Sequence, residues 1–167
     1  MGLELDHVLV PVDFGPSTDY MIDRAIALAA DYRADLTLLH VVVIPFFGFA
    51  PGEAEAEELR ASELLRALVQ GRVRELRRLH AWRGVAMTEV FFGSPAEEIV
   101  DAASRLEAKA IVIGLPPQST LAHAVTPSTT DRVLRRASCP VIVVPTSSRT
   151  NAEPSLEETA IRWGLAA

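Results

Sequence analysis

Five short runs rich in valine, isoleucine and leucine recur along the chain, and sequence with helical periodicity fills the gaps between them. The runs are DHVLVPVDF, ADLTLLHVVV, GVAMTEVFF, AIVIG and PVIVV. A run that is apolar on successive rather than alternate positions belongs to a strand buried on both faces. Strands of that kind joined through helices build a parallel sheet, because each crossover returns right-handed with its helix packed on a face. The expected fold is α/β and Rossmann-like: an open five-stranded parallel sheet with helices on both faces, in the order β-α-β-α-β-α-β-α-β.

The breaks between the runs carry their own signals. Gly15-Pro16 ends the first, and Ser17 is placed to cap a helix with Met21, Ala25, Leu28, Ala29 and Tyr32 on one face. Pro45 stops the second, and the aromatic loop FFGFAPG follows. The longest helix spans roughly Glu53 to Trp82, with Leu65, Leu68, Val69, Leu76 and Leu79 as its inward stripe and Gly71 as a place to kink. After Gly93, Ser94 and Glu97 have the spacing of a capping box with Pro95 at the first helical position, and Ile99, Val100 and Ala103 face inward. Ser128 and Asp131 repeat that spacing before a helix reaching Ala137, and Cys139-Pro140 precedes the last strand. Residues 1–146 therefore read as one domain. Residues 147–167 read as a linker, SSRTNAE, and a short helix bearing Ile161 and Trp163 that is too small to fold alone.

Charge and motif content exclude several functions. A net charge of −6 argues against nucleic-acid binding. The arginines 66, 72, 74, 77, 78 and 83 follow the acids Glu53, Glu55, Glu57, Glu58 and Glu63 on one helix, an order that complements the helix dipole. MGLELDHVLV has acids where a secretory signal needs bases, and the apolar runs are shorter than a membrane span, so the expectation is a cytoplasmic protein with no membrane partner. A single cysteine, Cys139, supplies neither a disulfide nor a thiolate metal site. The glycine-rich phosphate loops, zinc motifs and the serine-nucleophile elbow are absent. A phosphoacceptor receiver is excluded too, since the third and fifth strands end in Val90-Phe91-Phe92-Gly93 and Val144-Pro145-Thr146, and the only lysine is Lys109. No catalytic residue is assigned, and the chain reads as a binding module rather than an enzyme.

One site nonetheless stands out. Thirteen residues, 115–127, separate the fourth strand from its helix, where about 2–6 is usual. A strand end facing a helix N-terminus across a loop is where open α/β sheets hold ligands. Asp13, at the end of strand one, can accept a hydrogen bond from a base or sugar or help hold a metal, and otherwise caps the turn at Gly15. Gly114 ends strand four, where a side chain would obstruct a ligand. Ser128, Thr129 and Thr130 offer hydroxyls and backbone N–H groups suited to phosphate, with a plain N-cap as the bland reading of Ser128. His123 has no nearby acid to orient it and is read as a loop residue; His40 is read as a packed or edge residue. The phenylalanines 46, 47 and 49 read as an apolar lid.

The stretches HVLVPVDFGPST, LTLLHVVV, GSPAEEIVDAA, AIVIG and SCPVIVVP, in this order and spacing over roughly residues 5–146, resemble the universal stress protein family. The resemblance implies the strand order 3-2-1-4-5, with the fold of the adenine nucleotide alpha hydrolase-like proteins. It also implies a homodimer joined through the fifth strand, Val141, Ile142, Val143 and Val144. One branch of the family binds ATP through Gly, two residues, Gly, nine residues, Gly, then Ser or Thr. Here the frame reads Gly114, Pro117, Pro127, Ser128. Each proline removes a backbone N–H and fixes φ, so two donors to a polyphosphate are lost. That costs about 3–6 kcal/mol, a hundredfold or more in affinity. By resemblance the site for ATP or another adenine nucleotide, with magnesium at Asp13, comprises Pro11, Val12, Asp13, Val41, Gly114, Ser119, Ser128 and Thr129. Its base half is kept and its phosphate half altered. The leading expectation is a dimeric binding or signalling module in the stress response. The alternatives are a working ATP switch with slow ATPase activity and a protein-interaction module with no small ligand.

Overall fold

The computed structural model describes residues 5–80, 82–115 and 128–146. Along them run β1 (His7–Pro11), α1 (Thr18–Tyr32), β2 (Asp35–Val42), α2 (Glu53–His80), β3 (Ala86–Phe92), α3 (Pro95–Arg105), β4 (Ala110–Leu115), α4 (Thr129–Arg136) and β5 (Val141–Pro145). The strands form one parallel sheet in the order β3-β2-β1-β4-β5, as expected.

Alternate residues of the strands feed two separate cores. Val8, Val10, Leu36, Leu38 and Val112 face α1 and α2, meeting Ile22, Ala25, Ile26, Leu65 and Leu68. Leu9, Leu39, Ile111 and Ile113 face the other way, under Ala96, Ile99 and Ala102 of α3 and Val133 of α4. Most of these side chains are fully buried, and each buried Val, Leu or Ile among them is worth about 1.5–3 kcal/mol of transfer free energy. Covered faces on both sides explain why the runs are apolar without alternation. Among the described residues no helix is long and apolar enough to cross a membrane.

Helix faces and caps depart from expectation in instructive places. In α1, Tyr32 is 46% exposed, and Ile22 and Ile26 complete the inward face instead. In α2, Leu65 and Leu68 are buried and Val69 packs at the margin, joined by Ala61, Leu64 and Val73. The helix runs unbroken through Gly71; the side chains of Leu76 and Leu79 lie outside the described set. Neither Ser17 nor Ser94 caps its helix with its side chain. Ser17 already has helical backbone angles, which turn its hydroxyl away from the first free N–H groups. The Ser94–Glu97 box does not form; the Glu97 carboxylate takes Arg132 at 3.3 Å and Arg136 at 3.2 Å instead, linking α3 to α4. The Ser128–Asp131 box does form.

Trp82 closes the α1/α2 core from below. It is 3% exposed, and its indole N–H donates to the Ala34 carbonyl at 3.0 Å, just beyond the left-handed Arg33 that ends α1. Trp82→Phe keeps most of the buried area and strands that carbonyl. The expected loss is about 1–3 kcal/mol in urea unfolding, and an unchanged midpoint would show the bond is not needed to seat the α1–β2 turn.

Candidate functional site

Strand β1 ends at Pro11 while β2 continues to Val42. In this parallel sheet the backbone groups of successive β2 residues point to opposite neighbours. Even-numbered ones serve β3: the Leu36 N–H donates to Val85, and the Val42 carbonyl accepts from Gly93. Odd-numbered ones serve β1: the Asp35 N–H donates to Asp6, and the Leu39 carbonyl accepts from Val12 at 2.8 Å. The N–H and C=O of Val41 therefore point to the β1 side, at the level where β1 has left the sheet. The register would assign the Val41 N–H to the Val12 carbonyl. That carbonyl instead takes His40 Nδ1 at 2.8 Å. A carbonyl only accepts, so Nδ1 carries the proton. Val12 thus gives its N–H to Leu39 and takes His40 on its carbonyl, whereas Val41 presents a donor and an acceptor side by side.

The chain leaves β1 through a tight turn. Asp13 Oδ1 accepts the Gly15 N–H at 2.9 Å, realising the turn-capping role. Phe14 between them is in the left-handed region at φ 59°, a conformation that costs a non-glycine residue about 1–2 kcal/mol. Burial of its ring, which lies 4.4 Å from the His40 ring, offsets that cost. Asp13 itself is exposed, and its second oxygen has no protein donor among the described residues. Burial pushes the His40 imidazole below its ordinary value of 6.5, against the opposing pull of its bond to Val12 and of the Asp13 and Glu57 carboxylates. Neither the Phe14 conformation nor the His40 bond was legible in the sequence.

Gly114 falls level with Val12 when the β1/β4 register, Val8 with Ala110 and Leu9 with Ile111, is continued upward. A Cβ there would stand 3.1 Å from Thr146 Cγ2 and 3.3 Å from Met21 Sδ, so internal packing alone already favours glycine. The Gly114 carbonyl accepts the buried Thr130 hydroxyl at 2.7 Å, which pins the start of α4 to the end of β4. At that helix start Ser128 is wholly engaged. Its Oγ donates to Asp131 Oδ2 at 2.8 Å and accepts the Asp131 N–H at 3.1 Å, while its own N–H donates to the same carboxylate. An anion already sits on the helix N-terminus, and it belongs to the protein. Thr129 is exposed beside it.

Pro11, Val12, Asp13, Val41, Gly114, Ser128 and Thr129 all map to the carboxyl edge of the sheet, while Ser119, His123, Pro117 and Pro127 lie outside the described residues. Among those described, no group of three or more His, Cys, Asp or Glu could hold a metal ion. Phe46 and Phe47 are 94% and 95% exposed and cover nothing, contrary to the lid reading, and Phe49 meets Phe92 edge-on at 5.9 Å. A cavity of about 450 Å³ lined by Ser104, Lys109, Cys139 and Pro140 opens at the opposite end of the sheet, where burial pushes the Cys139 thiol up and keeps it protonated.

The sequence model of the universal stress protein family matches residues 4–145. A universal stress protein of Methanocaldococcus jannaschii is 32% identical over 139 residues, spanning 82% of this chain and 80% of that protein. The universal stress protein UspA of Lactobacillus plantarum superposes with a TM-score of 0.62 at 27% identity, covering 86% of this chain and 99% of its own. A universal stress protein solved in complex with cAMP shares the fold at a TM-score of 0.60 and 23% identity, over 86% of this chain and 99% of that one.

Two outcomes follow from the geometry. Ser128→Ala removes the reciprocal cap and should cost about 1 kcal/mol in urea unfolding; a loss within error would mean Asp131 holds the helix start unaided. For His40, the unfolded chain takes up a proton below pH 6.5 that the folded chain resists. The unfolded state then binds more protons, so stability declines as pH falls below 6.5. His40→Asn should flatten that decline in a pH series of melting temperatures, and an equally steep series would assign it to other groups.

Proposed function

The chain belongs to the universal stress protein family, and on that premise we propose that it is a non-catalytic, dimeric binding module. Its edge site takes the adenosine part of a nucleotide and draws little from a polyphosphate. The observation that carries this reading is the Asp131 carboxylate on the α4 N-terminus, bonded to the Ser128 N–H and hydroxyl. A triphosphate arriving there meets like charge where a phosphate-binding helix offers free donors. Pro117 and Pro127 remove two further amides from the same region.

The base end is better supplied. Adenine presents an acceptor at N1 beside a donor at its 6-amino group, and the Val41 N–H and C=O form the complementary pair. The unengaged oxygen of Asp13 suits a ribose hydroxyl, and Gly114 leaves the floor between them low. Asp13 alone gives a cation one ligand, so magnesium would come with the nucleotide's phosphates rather than on a protein site. The cAMP complex of a like-folded protein is compatible with a monophosphate preference. β5 stands at the sheet edge, and pairing of Val141, Ile142, Val143 and Val144 with a second copy would cover its open side.

Calorimetric titration with AMP and ATP, each with and without magnesium, tests the reading. Both should bind, with affinities within about tenfold of each other. ATP binding more than roughly a hundredfold tighter than AMP would overturn it, as would the failure of both to bind. In the Pro117→Gly/Pro127→Gly double variant, restored amides should widen the advantage of ATP by about tenfold or more.

A further inference from the structure

We propose that His40 is a positioning residue that keeps the Val41 amide available to a ligand. The argument is one of competition for a single acceptor. The Val12 carbonyl is the last β1 group pointing at β2, and the alternation of the sheet makes the Val41 N–H its natural donor. No such bond forms, and His40 Nδ1 holds the carbonyl at 2.8 Å in its place. Without the imidazole the carbonyl lacks a partner in a half-buried place, and the nearest backbone donor is the amide the ladder would have used. The ladder would then zip one step further and close the donor half of the Val41 pair.

The ring is built to hold this position. Val12 and Phe14 are both buried, and the tilted contact of Phe14 with the imidazole at 4.4 Å fixes the ring plane. Phe14 reaches it from a left-handed backbone, inside the turn that the Asp13–Gly15 bond closes. Asp13, just past the end of β1, and Glu57 on α2 are the charged groups facing the ring. The side chain of one residue thereby decides what the backbone of the next one does.

The inference rests on the nucleotide reading for the identity of the ligand, not for the state of the amide. Residue-resolved hydrogen exchange on the nucleotide-free protein examines the amide directly. The Val41 N–H should exchange fast in the wild type and about tenfold or more slower in His40→Leu, with Val10 and Leu38 unchanged as a control on folding. His40→Asn, whose side-chain N–H can reach the same carbonyl, should restore fast exchange. AMP affinity should follow the amide, falling about tenfold in His40→Leu and recovering in His40→Asn. A Val41 amide already slow in the wild type, or unmoved by His40→Leu, overturns the proposal. If the wild type takes up no AMP, the nucleotide reading fails while the exchange result still decides the role of His40.

Discussion

A parallel strand that leaves its sheet before its neighbours do creates an accounting problem for backbone hydrogen bonds, and β1 does this on both sides. Its pairing with β2 holds over five positions, from His7 to Pro11. Its pairing with β4 holds over only two. Odd-numbered β1 residues serve β4, as the His7 carbonyl does by accepting from Lys109. The next odd position with an amide to offer after Leu9 would be residue 11, and it is proline. The β1/β4 ladder stops there for want of a donor, and the strands part at the point where the strand order reverses. That is where an open α/β sheet makes its crevice. The groups placed around it, His40 on the Val12 carbonyl, Asp13 on the Gly15 amide and Thr130 on the Gly114 carbonyl, each satisfy a backbone group that the early exit leaves behind.

The same accounting at α4 comes out differently. A helix start exposes amides that attract anions, and in this chain the attraction is met from within by Asp131. A carboxylate three residues into the helix is tethered, so it occupies the site at far higher effective concentration than a free phosphate can. The two halves of the edge therefore diverge. On the β2 side the structure leaves backbone groups turned outward; on the α4 side the capping box takes the Ser128 and Asp131 amides.

How much of this the sequence discloses depends on whether a feature is set by pattern or by competition. Burial on both faces writes itself into consecutive apolar residues, so the strands and the class of sheet are readable from DHVLVPVDF or AIVIG alone. The strand order came from the family resemblance and not from periodicity. Capping boxes show the limit of pattern: Ser94–Glu97 and Ser128–Asp131 have the same spacing, and only the second forms, while Glu97 pairs with Arg132 and Arg136 across the helix pair. His40 is a harder case. One histidine in an apolar strand reads as packing, and nothing local says that its ring takes the acceptor meant for the following amide. The left-handed Phe14 is equally silent, since bulky residues disfavour that region and the Asp-x-Gly turn around it is common in loops.

Recognition by backbone has a consequence for how such a site changes. An amide donor survives nearly every side-chain substitution at its own position, so the Val41 pair is indifferent to whether residue 41 is valine or isoleucine. Two things can remove it: proline at that residue, or a change in what competes for its partners. A phosphate loop built from glycine amides has the same immunity and the same weakness. Pro117 and Pro127 are the substitutions to which a glycine cradle is most exposed, because they delete the donor rather than alter its surroundings. Near the Val41 pair the only proline of β1 is Pro11, whose missing amide points at β4 and away from Val41. On the proposed reading, a chain can lose its grip on a polyphosphate through two codons while the edge offered to adenine, held by the geometry of an interrupted ladder, stays as it was.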